Sequence, residues 1–302
     1  MLARLLRFLL LILGVMGIGL GYLLVQWTDA PLWSVVVLPV GLPLVAAAVL
    51  TLATALKSRA GNEDRALWWR SVWGEFLAGI RIFLLRQPWT VRTPVILPAT
   101  ATPTRIPVVL VHGYFCNHRI WDDVANHLRS QGHAVVMAVN LEPLFTSIDR
   151  YAPIVEAAVT AVCQHTGSSR VALVGHSMGG LAIRAWMRAH GTQRVARVLT
   201  LGTPHAGTQI EPRNCTPNGQ QMVWQSAWLA ELAATETQAS RALIRIALTP
   251  QDNIVYPQRA QVLPGVEPTV FNGIGHLQMC LDPAVIVWVR EQLAELHQGT
   301  IP

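Results

Sequence analysis

Val171-Ala172-Leu173-Val174-Gly175-His176-Ser177-Met178-Gly179-Gly180 is the stretch on which the reading of this chain turns. A short apolar, β-branched run ends at Gly-x-Ser-x-Gly, and a helical pattern, Leu181 to His190, follows at once. A strand that feeds a helix through so tight a turn strains the serine backbone and holds its Oγ up at the end of a sheet. Gly175 and Gly179 carry no Cβ, so neighbouring segments can approach. The start of the helix presents its positive end to Ser177, which favours developing negative charge there. Ser177 is therefore the candidate nucleophile.

The segments around it set the fold class. Pro107 to Val111 reads as a buried strand that ends in His112-Gly113-Tyr114. A helical pattern from Ile120 to Ser130 stops at Gly132, and Ala134 to Asn140 reads as a second strand. Ile148 to His165 is helical, Val195 to Leu201 extended, and Ala242 to Leu248 and Thr269 to Asn272 extended again. Strands alternating with helices predict an α/β class, with a mostly parallel sheet covered by helices on both faces.

A serine hydroxyl needs a base, and the base needs an orienting acid. In a strand–turn–helix context of this kind the chain order is Ser, then Asp or Glu, then His. Asp252 follows the predicted strand ending at Leu248, and His276 follows the one ending at Asn272. Both then lie on loops at the C-terminal ends of strands, where open parallel sheets bind ligands. His276 is the candidate base and Asp252 the candidate orienting acid. His205 precedes Asp252, so its order is wrong. His112 and His176 fall within motif turns as supports. Asp282 before Pro283 has the pattern of a helix cap, Glu211 and Glu267 are loop carboxylates, and Asp149 sits in a first helical turn. The backbone N–H groups of Met178 and Tyr114 are the candidate oxyanion donors, with Phe115 as the alternative to Tyr114.

Val-His-Gly-Tyr (111–114), Gly-His-Ser-Met-Gly-Gly (175–180) and Leu-Gly-Thr-Pro-His-Ala-Gly-Thr (201–208), with Asp252 and His276 in their loops, resemble bacterial lipases and esterases of the α/β-hydrolase superfamily. The third piece is similar to that of triacylglycerol lipases. The resemblance covers residues 107 to 297 or so. It implies carboxylic-ester hydrolysis through an acyl-enzyme, with no cofactor and no metal. It also suggests that the apolar insertion from Gln209 to Ser240 is a lid or acyl-binding wall. Phe115, Met222, Trp224 and Trp228 are then candidate substrate-contacting residues, and a packed helix that never moves is the alternative for the insertion.

The front of the chain has a different character. Of the 302 residues, 52% are hydrophobic and only 13% charged, and the excess lies in the first 56. Phe8 to Trp27 and Leu32 to Leu56 are uncharged runs, each long enough to span about 30 Å of hydrocarbon. The first outlasts the apolar core of a cleaved leader and lacks a clear small-x-small site. The pair reads as a retained transmembrane hairpin, in which Pro39 and Pro43 would kink the second helix. Arg4 and Arg7 precede it and Lys57, Arg59, Arg65 and Arg70 follow it, while the link carries no base. That asymmetry places both ends, and the catalytic region, on the cytoplasmic side of a bacterial inner membrane.

Trp69, Trp73, Phe76, Ile80 and Phe83 recur at helical spacing within Arg65 to Arg86, for a membrane interface or for packing on the globular region. Pro88 to Pro107 reads as a linker. The expected organisation is a hairpin at 1–60, an amphipathic helix and linker at 61–106, and a catalytic domain at 107–302. A net charge of +6 comes without a dense basic run interleaved with aromatics, so no nucleic-acid partner is expected. None of Cys116, Cys163, Cys215 and Cys280 forms a CxxC pair, which argues against a metal site, and a Cys215–Cys280 disulfide is conceivable. The expected partners are the bilayer and a lipid or other apolar acyl ester. The alternatives are an acyltransferase or thioesterase using the same residues, and an inactive membrane scaffold.

Overall fold

Four strands run side by side through the middle of the molecule because their sequences are apolar on both faces, which is what a sheet covered twice requires. The computed structural model describes residues 1–28, 30–89, 105–132, 135–210 and 216–296. Most of the predicted linker, with Glu211 and Cys215, lies outside the described residues. The strands are β1 (Val108–Val111), β2 (Val136–Ala138), β3 (Val171–His176), β4 (Val195–Leu201), β5 (Ile244–Leu248) and β6 (Pro268–Val270). They form one six-stranded, all-parallel sheet in the order β2-β1-β3-β4-β5-β6. The chain leaves β1 for one edge and returns to β3 on its other side. β1 and β3 therefore flank the point where the direction of winding reverses, the usual ligand-binding crevice of such sheets. In their register Val111 pairs with Gly175, so the segment after β1 starts beside the turn after β3.

Alternate residues of β1 serve the two faces. Val109 and Val111 join a core with α5 (Ala152–Thr166) and α6 (Met178–His190). Val108 and Leu110 join one with α4 (Asp122–Ser130) and α10 (Pro283–Ala294). Asp282 caps α10, accepting from Ala284 N at 2.9 Å. The insertion after β4 contains α7 (Pro217–Gln221), α8 (Ala227–Ala234) and α9 (Gln238–Ala242), and buried Leu229 and Leu232 pin α8 to the molecule. This is the α/β-hydrolase fold.

Two helices precede it, α1 (Leu2–Trp27) and α2 (Ser34–Ser58), both long and apolar enough to cross a membrane. They pack on each other with most of their side chains exposed, unlike core helices of comparable hydropathy. α2 continues as one helix through Pro39 and Pro43. Near the link the hairpin is tight. A Cβ on Gly17 would come within 2.6 Å of Pro39 Cα, and one on Gly21 within 2.6 Å of Val35 Cα. Small residues permit such backbone approach between apolar helices.

α3 (Arg65–Gly79) follows, capped by Asp64, which accepts from Leu67 N at 2.9 Å. Of the two readings of its aromatic face, the outward one holds for the two tryptophans. Trp69 and Trp73 point outward, 58% and 62% exposed, while Trp68, Ser71, Glu75 and Ala78 form the buried side. Apolar residues occur nearly all round this helix, so aromatic spacing alone does not tell which side is buried. After Gly79 the helix widens into a π turn, Ile80–Arg86. The change of phase buries Ile82 under the sheet and sets Phe83 beside Phe115, ring centroids 6.0 Å apart.

Candidate active site

Ser177 lies at the C-terminal end of β3 with φ 54° and ψ −129°, a backbone state that costs a non-glycine residue about 1–3 kcal/mol. The turn is held by Ser177 N donating to Leu201 O at 2.9 Å and Gly180 N donating to Ser177 O at 3.1 Å. Two flanking positions admit only glycine. A Cβ at Gly113 would lie 2.7 Å from Ser177 Cβ, and one at Gly179 would lie 2.7 Å from His112 O. The loop after β1 is thus pressed against Ser177. Met178 opens α6, where a helix has no acceptor for its first N–H groups. Among the described residues neither Met178 N nor Tyr114 N donates to another atom, which leaves both amides for a ligand oxygen.

Asp252 and His276 come together from the loops after β5 and β6. His276 Nδ1 is 2.8 Å from Asp252 Oδ2. The other carboxylate oxygen accepts from Ile254 N at 2.9 Å and Val255 N at 2.7 Å. Both side chains are buried. A proton on Nδ1 donating to Asp252 leaves Nε2 as the acceptor. Ser177 and His276 line the same cavity. The Ser177–His276 hydrogen bond itself is not formed, a looseness common in ligand-free sites. Burial pushes the His276 imidazole down, but the Asp252 carboxylate and then Glu75 push it up, and the net shift is upward from 6.5.

Three other buried histidines near the site are engaged with partners of their own. Burial pushes His112 down to about 4, so it is neutral. It accepts from Leu141 N at 2.9 Å, and its Nδ1 donates to Gly113 O at 2.9 Å, bracing the loop beside Ser177. Burial also lowers His176, whose Nε2 donates to His276 O at 3.0 Å while the two rings lie 4.6 Å apart. His205 bonds Thr200 at 3.0 Å and Arg184 at 3.3 Å and is occupied in holding the loop after β4.

Glu75 of α3 escaped the sequence reading. Its carboxylate is buried at the His276 loop, where it accepts from Leu277 N at 2.8 and 3.0 Å and from Gln278 N at 3.1 Å. A Cβ on Gly275 would lie 2.7 Å from Glu75 Cβ. Burial raises its pKa from 4.5 to about 7, against the pull of the His276 charge and the two amides. The available signal was an acid at helical spacing from Ser71 and Ala78, the small-residue side of an otherwise aromatic helix.

A cavity of about 620 Å³ opens over Ser177 and His276. Tyr114, Phe115 and Met222 line it, as do Val223 and Thr216 of the insertion. Trp224 and Trp228 are not on its wall. Trp228 instead donates its indole N–H to Asp149 Oδ2 at 2.9 Å, fixing α8 to the outer surface beside Arg188. The rest of the wall comes from Phe83 and the two N-terminal helices. Among the described residues no group of three His, Cys, Asp or Glu is placed to hold a metal ion.

With this geometry in hand, comparison with known proteins is specific as to fold. Residues 106–233 match the α/β hydrolase fold family. A triacylglycerol lipase of Pseudarthrobacter phenanthrenivorans is 38% identical over 121 residues, 37% of each chain. The chain thus aligns with little more than a third of the length of the curated relatives it matches. Aspergillus fumigatus lipase B superposes with a TM-score of 0.57 at 18% identity, covering 70% of this chain and 61% of that one. The mature lipase BlEst2 of Bacillus licheniformis gives 0.55 at 19%, covering 65% and 95%. At such identities the structural likeness is one of fold. By its sheet order, its strained serine turn and the sequence match over residues 106–233, this chain has the α/β-hydrolase fold.

Proposed function

We propose that the chain is a membrane-anchored carboxylic ester hydrolase that acts on lipid or other apolar acyl esters. The observation that carries this reading is the strained Ser177 beside a buried, hydrogen-bonded His276–Asp252 pair, all at the mouth of an apolar cavity. Ser177 Oγ attacks the ester carbonyl while its proton passes to His276 Nε2. Asp252 keeps the other ring nitrogen protonated and offsets the imidazolium charge. The tetrahedral oxyanion accepts from Met178 N and Tyr114 N. His276 returns the proton to the departing alcohol, leaving an acyl-enzyme. Water then repeats the sequence, releasing the acid and restoring Ser177. Similarity to triacylglycerol lipases supports the ester class.

Anchoring rests on the two exposed apolar helices. Trp27 and Trp33 at the link and Trp69 and Trp73 on α3 are exposed aromatics at opposite ends of the hairpin, the pattern of the two interfaces of a bilayer. The flanking arginines favour a cytoplasmic catalytic domain.

The test is to label the purified protein with a fluorophosphonate and to assay p-nitrophenyl esters of graded chain length in detergent. Adduct on Ser177 with ester turnover is expected. Folded protein that neither labels nor turns over any ester would favour the inactive scaffold, and acyl transfer to an added acceptor in preference to water would favour the acyltransferase. The pH profile supplies a second check. The base must be neutral, and His276 is held above 6.5, so kcat/KM rises with pH and its limb has a midpoint above 6.5. A midpoint well below that value would remove His276 as the base.

A further inference from the structure

The cavity over Ser177 does not end in the hydrolase fold. It continues between the two N-terminal helices, bordered by Leu6, Leu10 and Leu13 of α1 and by Ala47, Leu50 and Thr54 of α2. Leu6 to Leu13 covers about 10 Å of helix axis at 1.5 Å per residue. The helices touch backbone to backbone at Gly17–Pro39 and Gly21–Val35, near their link. On the catalytic side of these contacts both helices contribute residues to the wall of the cavity that Ser177 and His276 also line. Their bases are fixed there. Leu2 and Leu6 pack with Leu144, Asn253 donates to Thr54 Oγ1 at 2.9 Å, and Gln258 donates to Ser58 O at 3.0 Å.

We infer that the hairpin is the acyl-binding wall, and that one acyl chain of a bilayer-resident ester lies in the gap between α1 and α2 with its carbonyl at Ser177. This rests on the hydrolase reading and names its substrate's position and route. The occupant follows from the walls. They are uncharged along the gap, and their outer sides have the length and hydropathy of membrane spans, so the gap opens to hydrocarbon rather than water. Leu9 and Leu50 on the rim are 40% and 67% exposed. A chain entering there leaves one apolar medium for a largely apolar wall, in which Thr51 and Thr54 are the polar residues of α2, and its ester reaches the part of the cavity lined by Ser177, His176 and His276. The insertion after β4, with α8 packed down, forms the far wall.

The test fills the gap. Ala47→Trp places an indole between the helices, and Val49→Trp, at an exposed position off the cavity wall, is the control. Two readouts separate this inference from the catalytic one. The first is hydrolysis of dodecanoyl against acetyl p-nitrophenyl ester. The second is equilibrium binding of a pyrenedecanoate ester to Ser177→Ala protein with and without Ala47→Trp, which needs no turnover. Excluding even one methylene from an apolar pocket is worth about tenfold. Ala47→Trp is therefore expected to lower long-chain hydrolysis and pyrene-ester affinity by about tenfold or more, while acetate hydrolysis stays within about threefold. Unchanged affinity, or an equal loss on both esters in protein that still labels at Ser177, overturns the inference. If wild type hydrolyses neither ester, the hydrolase reading fails, while the binding result still decides where the chain lies.

Discussion

Ser177→Ala is expected to lower kcat for ester hydrolysis by about 10⁴-fold or more, the scale at which removal of a serine nucleophile acts on a working triad. Stability should barely move. Ser177 Oγ makes no hydrogen bond among the described residues, and the strained φ of 54° is imposed by β3 and α6 whichever side chain is there. A melting temperature within a few degrees of wild type, together with the loss of turnover, is the expected pair of results. Some acceleration over water is expected to survive, because the variant keeps the Met178 and Tyr114 amides proposed to hold the oxyanion and the cavity proposed to hold the substrate. Steady-state kinetics on a short-chain ester decide the matter: a variant within tenfold of wild type would mean that another group attacks.

The second large effect is expected at Glu75. Glu75→Ala strips the acceptor from Leu277 N and Gln278 N in a buried place. Each orphaned donor costs about 1–3 kcal/mol, and the His276 loop loses the group that braces it. Activity should fall together with stability. Glu75→Gln isolates the charge. In wild type Glu75 is raised from 4.5 to about 7, so the folded chain holds a proton that the unfolded chain has released. The stabilisation from that proton is complete below about pH 4.5 and is lost as pH climbs through 7, on the order of 3 kcal/mol across the window. Glu75→Gln should flatten this part of the dependence of melting temperature on pH. It also removes one of the two carboxylates that raise His276. The limb of kcat/KM against pH therefore moves to lower pH than in wild type. A limb that stays put would reduce Glu75 to a loop brace with no electrostatic hold on the base.

Much of this was legible in the chain itself. The alternation of apolar runs and helical patterns placed every strand within a few residues. Ser177 was marked by its flanks and Asp252 and His276 by chain order, and the structure brings the last two to 2.8 Å. What stayed hidden depended on which side of a helix faces the site. In α3 the eye follows Trp69 and Trp73, yet these face out, while Trp68 and a glutamate go in, the latter because two loop amides wait for it. The same blindness applies to α2, where Ala46-Ala47-Ala48 reads as generic membrane filler until Ala47 is seen on the cavity wall. Trp224 and Trp228 looked like substrate contacts because they are apolar and near the right loop. Asp149 claims one of them, and the tight backbone at Thr208 the other, with Trp224 N donating to Thr208 O at 3.0 Å.

The contacts of Glu75 and Thr54 with the catalytic loops have a bearing on biogenesis. In a chain made from its N-terminus, the hairpin and α3 emerge before any strand of the sheet. The loop carrying His276 is synthesised 202 residues after its brace, counted from Glu75 to Leu277. The sheet can gather its own core, but its histidine loop is finished only when it closes back on α3, which on the proposed anchoring sits at the bilayer surface. On the proposed reading, catalytic competence arrives with docking of the hairpin and α3, and a catalytic domain cut from them would keep Ser177 but leave the His276 loop unbraced.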